Sequence, residues 1–318
     1  MFGIKKWIFV TALFVMPTFS WCDEENKLGL ANNALRNLEE IVLGPLPHEV
    51  AQKIIASKED LKKLIVILGG ADIFSDEDFV LIPATGEDGF LMGSEDGGSN
   101  ERPVHKVELS AFSLQRTEVT QKQWKAVMGK LPDELVEYGK DNPNFMGDNL
   151  PIILISHDDA VEFTKKATEK SDQWKYALPT EAQWEYAAQA GSDGDYGRGQ
   201  DEKEITTSNL RSYGWYYDES SKENGIHPVG VLAANAFGLK DMHGNVWEWV
   251  ADWYKEDYYK NSPKSNPENK EVGSTRILRG GSWDFGAHVL RSAYRHYHWP
   301  DLRYNNLGFR LLRTKRIP

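Results

Sequence analysis

Asn235-Ala-Phe-Gly-Leu-Lys-Asp-Met-His-Gly-Asn-Val-Trp-Glu-Trp249 is the stretch that decides how this chain folds. Its two indoles, Trp247 and Trp249, lie close together at the end of a segment interrupted by Gly238 and Gly244. An indole buries a large area and still offers an N–H to a loop carbonyl, so closely spaced indoles suit a core built on irregular backbone. The whole sequence leans the same way. It carries 11 Trp and 27 Gly, concentrated in the last two thirds, where turns and indole-packed loops would replace regular helices.

Working outward, three more segments share this texture: Leu178-Pro-Thr-Glu-Ala-Gln-Trp-Glu-Tyr-Ala-Ala188, Arg279-Gly-Gly-Ser-Trp283 and Asn306-Leu-Gly-Phe-Arg310. Gly280 and Gly281 predict a tight turn or a close backbone approach. Arg279, Arg291, Arg295 and Arg310 are placed to tie loops together by bidentate bonds to carboxylates or carbonyls.

The length of 318 residues suits one large domain plus an extension, or two modest domains. Hydrophobic residues make up 40% and charged residues 27%, an ordinary globular balance. Residues 1–22 read as a signal peptide, with Lys5 and Lys6 as the positive start and an apolar run from Trp7 to Met16 too short to span a bilayer. Export follows, to the periplasm or cell envelope. Cys22, the single cysteine, could carry a lipid, which would be the chain's one tie to a membrane. Removing Lys5 and Lys6 takes the formal charge from −11 to −13, which disfavours nucleic acid as a partner.

Residues 23–75 read as a helical extension. Leu28, Ala31, Leu35, Leu38, Ile41 and Val42 recur at helical spacing, Gly44-Pro45 breaks the run, and a second pattern extends from His48 to Leu68. From residue 76 the texture changes to short strands and turns. Phe79–Pro83 and Gly89–Gly93 read as a hairpin, and His105–Ser110 as a half-buried strand. Thr120 and Gln123 predict a capping box that opens a helix, as do Thr180 and Gln183 for a helix over 180–190; His157 to Glu169 reads as another. Gly197–Gly225 is polar and reads as a surface loop.

Taken in order, these motifs strongly resemble the formylglycine-generating enzyme family, also called sulfatase-modifying factors, over roughly Phe79 to Arg313. The resemblance implies an α+β fold related to C-type lectins, with little regular secondary structure, over residues 76–318. Members of that family oxidise a sulfatase cysteine by means of a copper-binding cysteine pair. Here Phe285 stands where the first cysteine is expected, and the second position is either Leu290 or lost, since this loop is about three residues shorter than the family's. Neither offers the soft thiolate that Cu(I) prefers, so copper and formylglycine generation are not expected.

The family's structural calcium matches Asp241 to Glu248. Asp241 and Glu248 would supply carboxylates and Gly244 and Val246 backbone carbonyls, with a tight turn bearing exposed carboxylates as the alternative. Trp283, Phe285, Arg291, Tyr294, Arg295 and Trp299 would line the groove in which the enzymes hold a peptide, and suit a protein, peptide or glycan partner in the envelope. The leading expectation is therefore a non-catalytic binding or scaffold protein. Its rival is a metal-dependent oxidase or maturation factor drawing on His288, His296, His298, Asp284 and Asp301. His296 and His298, without a clear third ligand, are expected to be exposed loop residues.

Overall fold

The computed structural model describes residues 73–219 and 225–316. All but the first of these fall within one compact unit, Phe74–Pro318. The signal segment, Cys22 and nearly all of the 23–75 extension lie outside the described residues. No described helix is long and apolar enough to cross a membrane.

Among the described residues ten short strands and four α-helices are spread along the unit: β1 Phe79–Ile82, β2 Phe90–Met92, β3 His105–Val107, β4 Phe112–Gln115, α1 Gln121–Met128, α2 Asp133–Asp141, α3 His157–Glu169, β5 Trp174–Ala177, α4 Glu181–Gln189, β6 Trp247–Trp253, β7 Arg276–Arg279, β8 His296–His298, β9 Leu307–Gly308 and β10 Leu312–Lys315. They form one four-stranded sheet in the order β1-β4-β10-β5, a second in the order β8-β7-β6-β9, and a β2-β3 pair. Regular structure is sparse, as the glycine and tryptophan content predicts.

The helix starts follow from local hydrogen bonding. In α1 the Gln123 N–H donates to Thr120 Oγ1 at 3.1 Å and the Thr120 N–H donates back to Gln123 Oε1 at 2.9 Å. Thr180 and Gln183 close the same reciprocal box on α4, at 3.2 and 2.9 Å, so two orphan donors are satisfied at each start. Helix α2 has no such box. It begins after Pro132 with acids in its first turn and buries only Leu135 and Gly139.

The expected hairpin of Phe79–Pro83 with Gly89–Gly93 does not form. Strand β1 pairs with β4, Phe79 opposite Gln115, while β2 pairs with β3, Phe90 opposite Val107. Ile82, Phe90 and Met92 all enter one hydrophobic cluster, so the two strands share a core without pairing with each other. The 197–225 segment is less of a surface loop than its polarity predicts, because Ile205 and Leu210 are buried and Trp215 stacks on His227 with ring centroids 3.7 Å apart.

The indole stretch sits at the centre. Trp249 is fully buried and its Nε1 donates to the Ile155 carbonyl at 3.3 Å. Strand β6 packs beneath α4, whose Trp184 Nε1 donates to Glu248 Oε2 at 2.8 Å. Above it, Phe163 stacks on Trp124 at 5.2 Å and meets Phe309 edge-on at 5.3 Å. Aromatic pairs of this kind add about 0.5–1.5 kcal/mol beyond the area they bury.

Candidate functional site

The surface between β7 and β9 is held in place by arginines that the interior neutralises. Helix α4 presents Glu181 and Glu185 one turn apart, both buried. Arg295 donates to both oxygens of Glu181 at 2.7 and 2.9 Å and to the Asn100 carbonyl at 2.6 Å. Arg279 pairs with Glu185 and reaches the carbonyls of Ser292 and Ala293 at 2.8 and 3.0 Å. Arg291 forks onto Glu101 at 2.9 and 2.7 Å. These are the bidentate ties the sequence predicts, and they fix the course of residues 279–295.

Gly280 and Gly281 adopt left-handed φ of 94° and 76° within that course. A β-carbon on Gly281 would lie 2.6 Å from Leu290 Cδ1, so the turn closes only without one.

Against this frame lies an open groove of about 890 Å³. One wall is the 96–101 loop, including Asn100; the other carries Arg291, Tyr294, His296, His298 and Trp299. Trp299 is 61% exposed, and Tyr297 stacks on Tyr254 at 3.8 Å while keeping 43% of its surface open. Its arginines are spent on Glu101 and Glu181. Burial holds His296 below the ordinary histidine range, with His298 adding to the effect, and burial lowers His298 as well. The groove therefore offers aromatic faces and polar edges with little free charge.

Four of the six groove residues expected from sequence come together there: Arg291, Tyr294, Arg295 and Trp299. Trp283 and Phe285 do not. Trp247 separates them from the groove, with Phe285 at 5.7 Å on one side and His296 at 5.1 Å on another, while Trp283 meets Phe145 edge-on at 5.9 Å. His296 and His298 sit on strand β8, paired with β7 and half-buried, and not on an exposed loop. His288 also lines the groove, whereas Asp301 is exposed to solvent.

Asp284 is engaged elsewhere. It accepts from Ser282 Oγ at 2.6 Å and from Asn306 Nδ2 at 3.0 Å on each oxygen. Sequence reasoning quoted Ser282 and Asn306 only as parts of motifs; their mutual contact is visible in three dimensions alone. Among the described residues no group of three His, Cys, Asp or Glu could hold a metal ion.

The segment expected to carry calcium is buried. Glu248 receives Arg310 through Nε at 2.8 Å and Nη2 at 2.7 Å, in addition to Trp184. Arg310 also donates to the carbonyls of Gln115, Arg116 and Lys240. Glu248 thus serves as the counter-ion of Arg310, and its oxygens are poorly placed to coordinate a metal. Asp241 accepts from the Gly230 N–H at 2.6 Å. Val246 is fully buried, and Gly244, with φ of 99°, lies against the Trp215 carbonyl. The carboxylates here are not the exposed ones of the alternative reading.

With frame, fold and motif contacts in place, residues 58–315 match the family model described as a sulfatase-modifying factor enzyme 1-like domain. The chain belongs to that family. A sulfatase-modifying-factor relative, the formylglycine-generating enzyme of Streptomyces coelicolor, is 36% identical over 173 residues, covering 51% of this chain and 52% of the enzyme. The chain thus spans about half the length of that relative. Among solved structures of the same fold, the variable protein 1 of Treponema denticola is 26% identical with a TM-score of 0.63, covering 74% of this chain and 94% of its own. PvdO from Pseudomonas aeruginosa is 27% identical with a TM-score of 0.60, covering 74% and 93%.

This sulfatase-modifying-factor domain also carries opposed titrations. Burial, helped by the Glu181 charge, pushes Asp252 up to about 7, while burial holds His157 and His243 down to about 4. A raised acid stabilises the fold below its unfolded pKa and loses that contribution as pH climbs to about 7. The lowered histidines contribute above about 6.5 and lose it as pH falls toward 4. Asp252→Asn removes only the first effect. Relative to the parent, the variant should gain stability steadily from pH 4 to pH 7, read by urea unfolding at successive pH values. A pH-independent difference would show that Asp252 is ionised throughout.

Proposed function

We propose that this chain is a non-catalytic member of its family, exported and acting as a binding or scaffold module in the cell envelope through the 890 Å³ groove. The observation that carries the reading is the fate of the two positions where the resemblance places cysteines. Phe285 packs edge-on to Trp247, and Leu290 is fully buried, over Gly281. One is a surface aromatic and the other, unless the shorter loop has lost that position, a core residue; neither offers a copper ligand. The groove keeps exposed aromatic faces on a charge-locked frame, which suits peptide or glycan recognition with little reorganisation on binding. The Treponema relative is named a variable protein. Lipidation of Cys22 would hold such a module at the membrane surface.

The test pairs a chemical and a binding readout. With Cu(I) supplied and a sulfatase-derived cysteine peptide as substrate, no oxygen uptake above buffer is expected. On immobilised peptide and glycan panels, retention by the parent should fall at least about tenfold in Trp299→Ala, as loss of an exposed aromatic anchor requires. Oxygen uptake proportional to enzyme, with copper bound one per chain, would sink the proposal.

A further inference from the structure

The aromatic residues of the groove form a supported platform. Tyr297 and Trp299 both line it and are two residues apart, the spacing that puts side chains on one face of an extended chain. Tyr297 is backed by Tyr254, the two rings 22° from parallel. Tyr254 is held in turn by a hydrogen bond to Asn100 and by Arg295, whose guanidinium lies 5.4 Å from its ring centre. Trp299 meets the His298 ring edge-on at 5.0 Å. Two flat apolar surfaces thus stay open to solvent on fixed supports.

The edge of β8 beside them is stopped at both ends against an added strand. β8 is the outermost strand of its sheet, and a peptide joining that edge would need free N–H and C=O groups. The Arg295 carbonyl already accepts from Asn100 Nδ2 at 3.3 Å, and the Trp299 N–H donates to His298 Nδ1 at 2.9 Å. The Trp299 and Pro300 carbonyls accept the N–H groups of Leu302 and His157 at 3.2 and 2.8 Å. What remains between these stops is short for a backbone-paired strand.

Ionic recognition is closed off as well. Arg291 and Arg295 are spent on Glu101 and Glu181, and Asp96, exposed on the opposite wall, has no cationic partner among the described residues. The histidine edges are left. With His298 Nδ1 occupied as an acceptor, the neutral ring carries its proton on Nε2 and can donate it to a hydroxyl.

We propose that the ligand of this groove is a neutral, β-linked saccharide chain of gluco configuration, with sugar rings stacked on Tyr297 and Trp299. The inference rests on the groove being the binding site, as proposed above. A pyranose whose substituents are all equatorial has flat C–H faces that pack on an aromatic ring, while its rim hydroxyls, each both donor and acceptor, reach the histidines. An axial linkage would tilt the next ring off the second platform. A uronate or sialic acid would face Asp96 with no free cation to offset it.

Isothermal titration in the presence of EDTA should give one site per chain for cellohexaose and for chitohexaose. Affinity should fall at least about tenfold in Trp299→Ala and in Tyr297→Ala, with most of it recovered in Trp299→Phe. Both side chains are well exposed, so the variants should fold. Maltohexaose and hexagalacturonate should bind at least about tenfold more weakly than cellohexaose. Three results would overturn the assignment: neither hexasaccharide bound at about 5 mM, hexagalacturonate bound as tightly as cellohexaose, or undiminished binding in both alanine variants. Peptides retained through Trp299 with neither saccharide bound would leave the groove standing as a binding site and remove the sugar alone.

Discussion

Arg310→Met is expected to cost about 3–5 kcal/mol of folding stability, the usual consequence of stripping one partner from a buried ion pair. Domains of this kind are stable by only about 5–15 kcal/mol, so the variant should sit close to unfolding at 37 °C. The reason is specific. Arg310 serves Glu248 through two nitrogens and satisfies three carbonyls, those of Gln115, Arg116 and Lys240, that bring β4 and the 240 loop together. Removing it leaves a buried carboxylate facing Glu118 and Asp241 with no cation of its own.

The double variant Arg310→Met/Glu248→Met should be more stable than the single, because the uncompensated charge goes with its partner. Urea unfolding of the four members of that cycle measures the coupling. A single variant within about 1 kcal/mol of the parent would mean that the pair is not what holds this interior together.

Gly244→Ala should be nearly as damaging, at about 3 kcal/mol or more, although it adds one methyl group. At φ of 99° an L-residue is strained, and the added β-carbon would be driven into the backbone oxygen of Trp215. A carbonyl held by its own chain cannot swing aside as a side chain can. The 215 segment must move, and with it the Trp215–His227 stack. Loss of near-ultraviolet circular dichroism from that indole would report it. Gly273→Ala is the control, since its β-carbon would come no closer than 3.4 Å to the Tyr254 carbonyl and φ is unstrained; it should be neutral to within about 0.5 kcal/mol.

Much of the frame was legible in the sequence because its causes are local. Capping boxes at Thr120 and Thr180 depend on residues three apart, and both form where the spacing predicts. The arginines were readable as ties because a guanidinium among turns and indoles has few other uses. Their partners were not: Glu181 for Arg295, Glu101 for Arg291 and Glu248 for Arg310 lie 62 to 190 positions away, and no spacing rule reaches that far. The same limit explains the misread hairpin, in which β1 preferred β4 over its sequence neighbour. It also explains the groove, where Trp247 came between Phe285 and the wall it was expected to join.

Strand β10, Leu312–Lys315, lies between β4 and β5, bonded to both, in the middle of its sheet. The last strand of the domain is thus the one that joins the two halves of that sheet, and Arg310 arrives just ahead of it. A chain under synthesis can build its helices early but cannot zip this sheet or neutralise Glu248 until residues 310–315 are in place. Closure of the sheet therefore rests on pairings of high sequence separation, the slow kind to form.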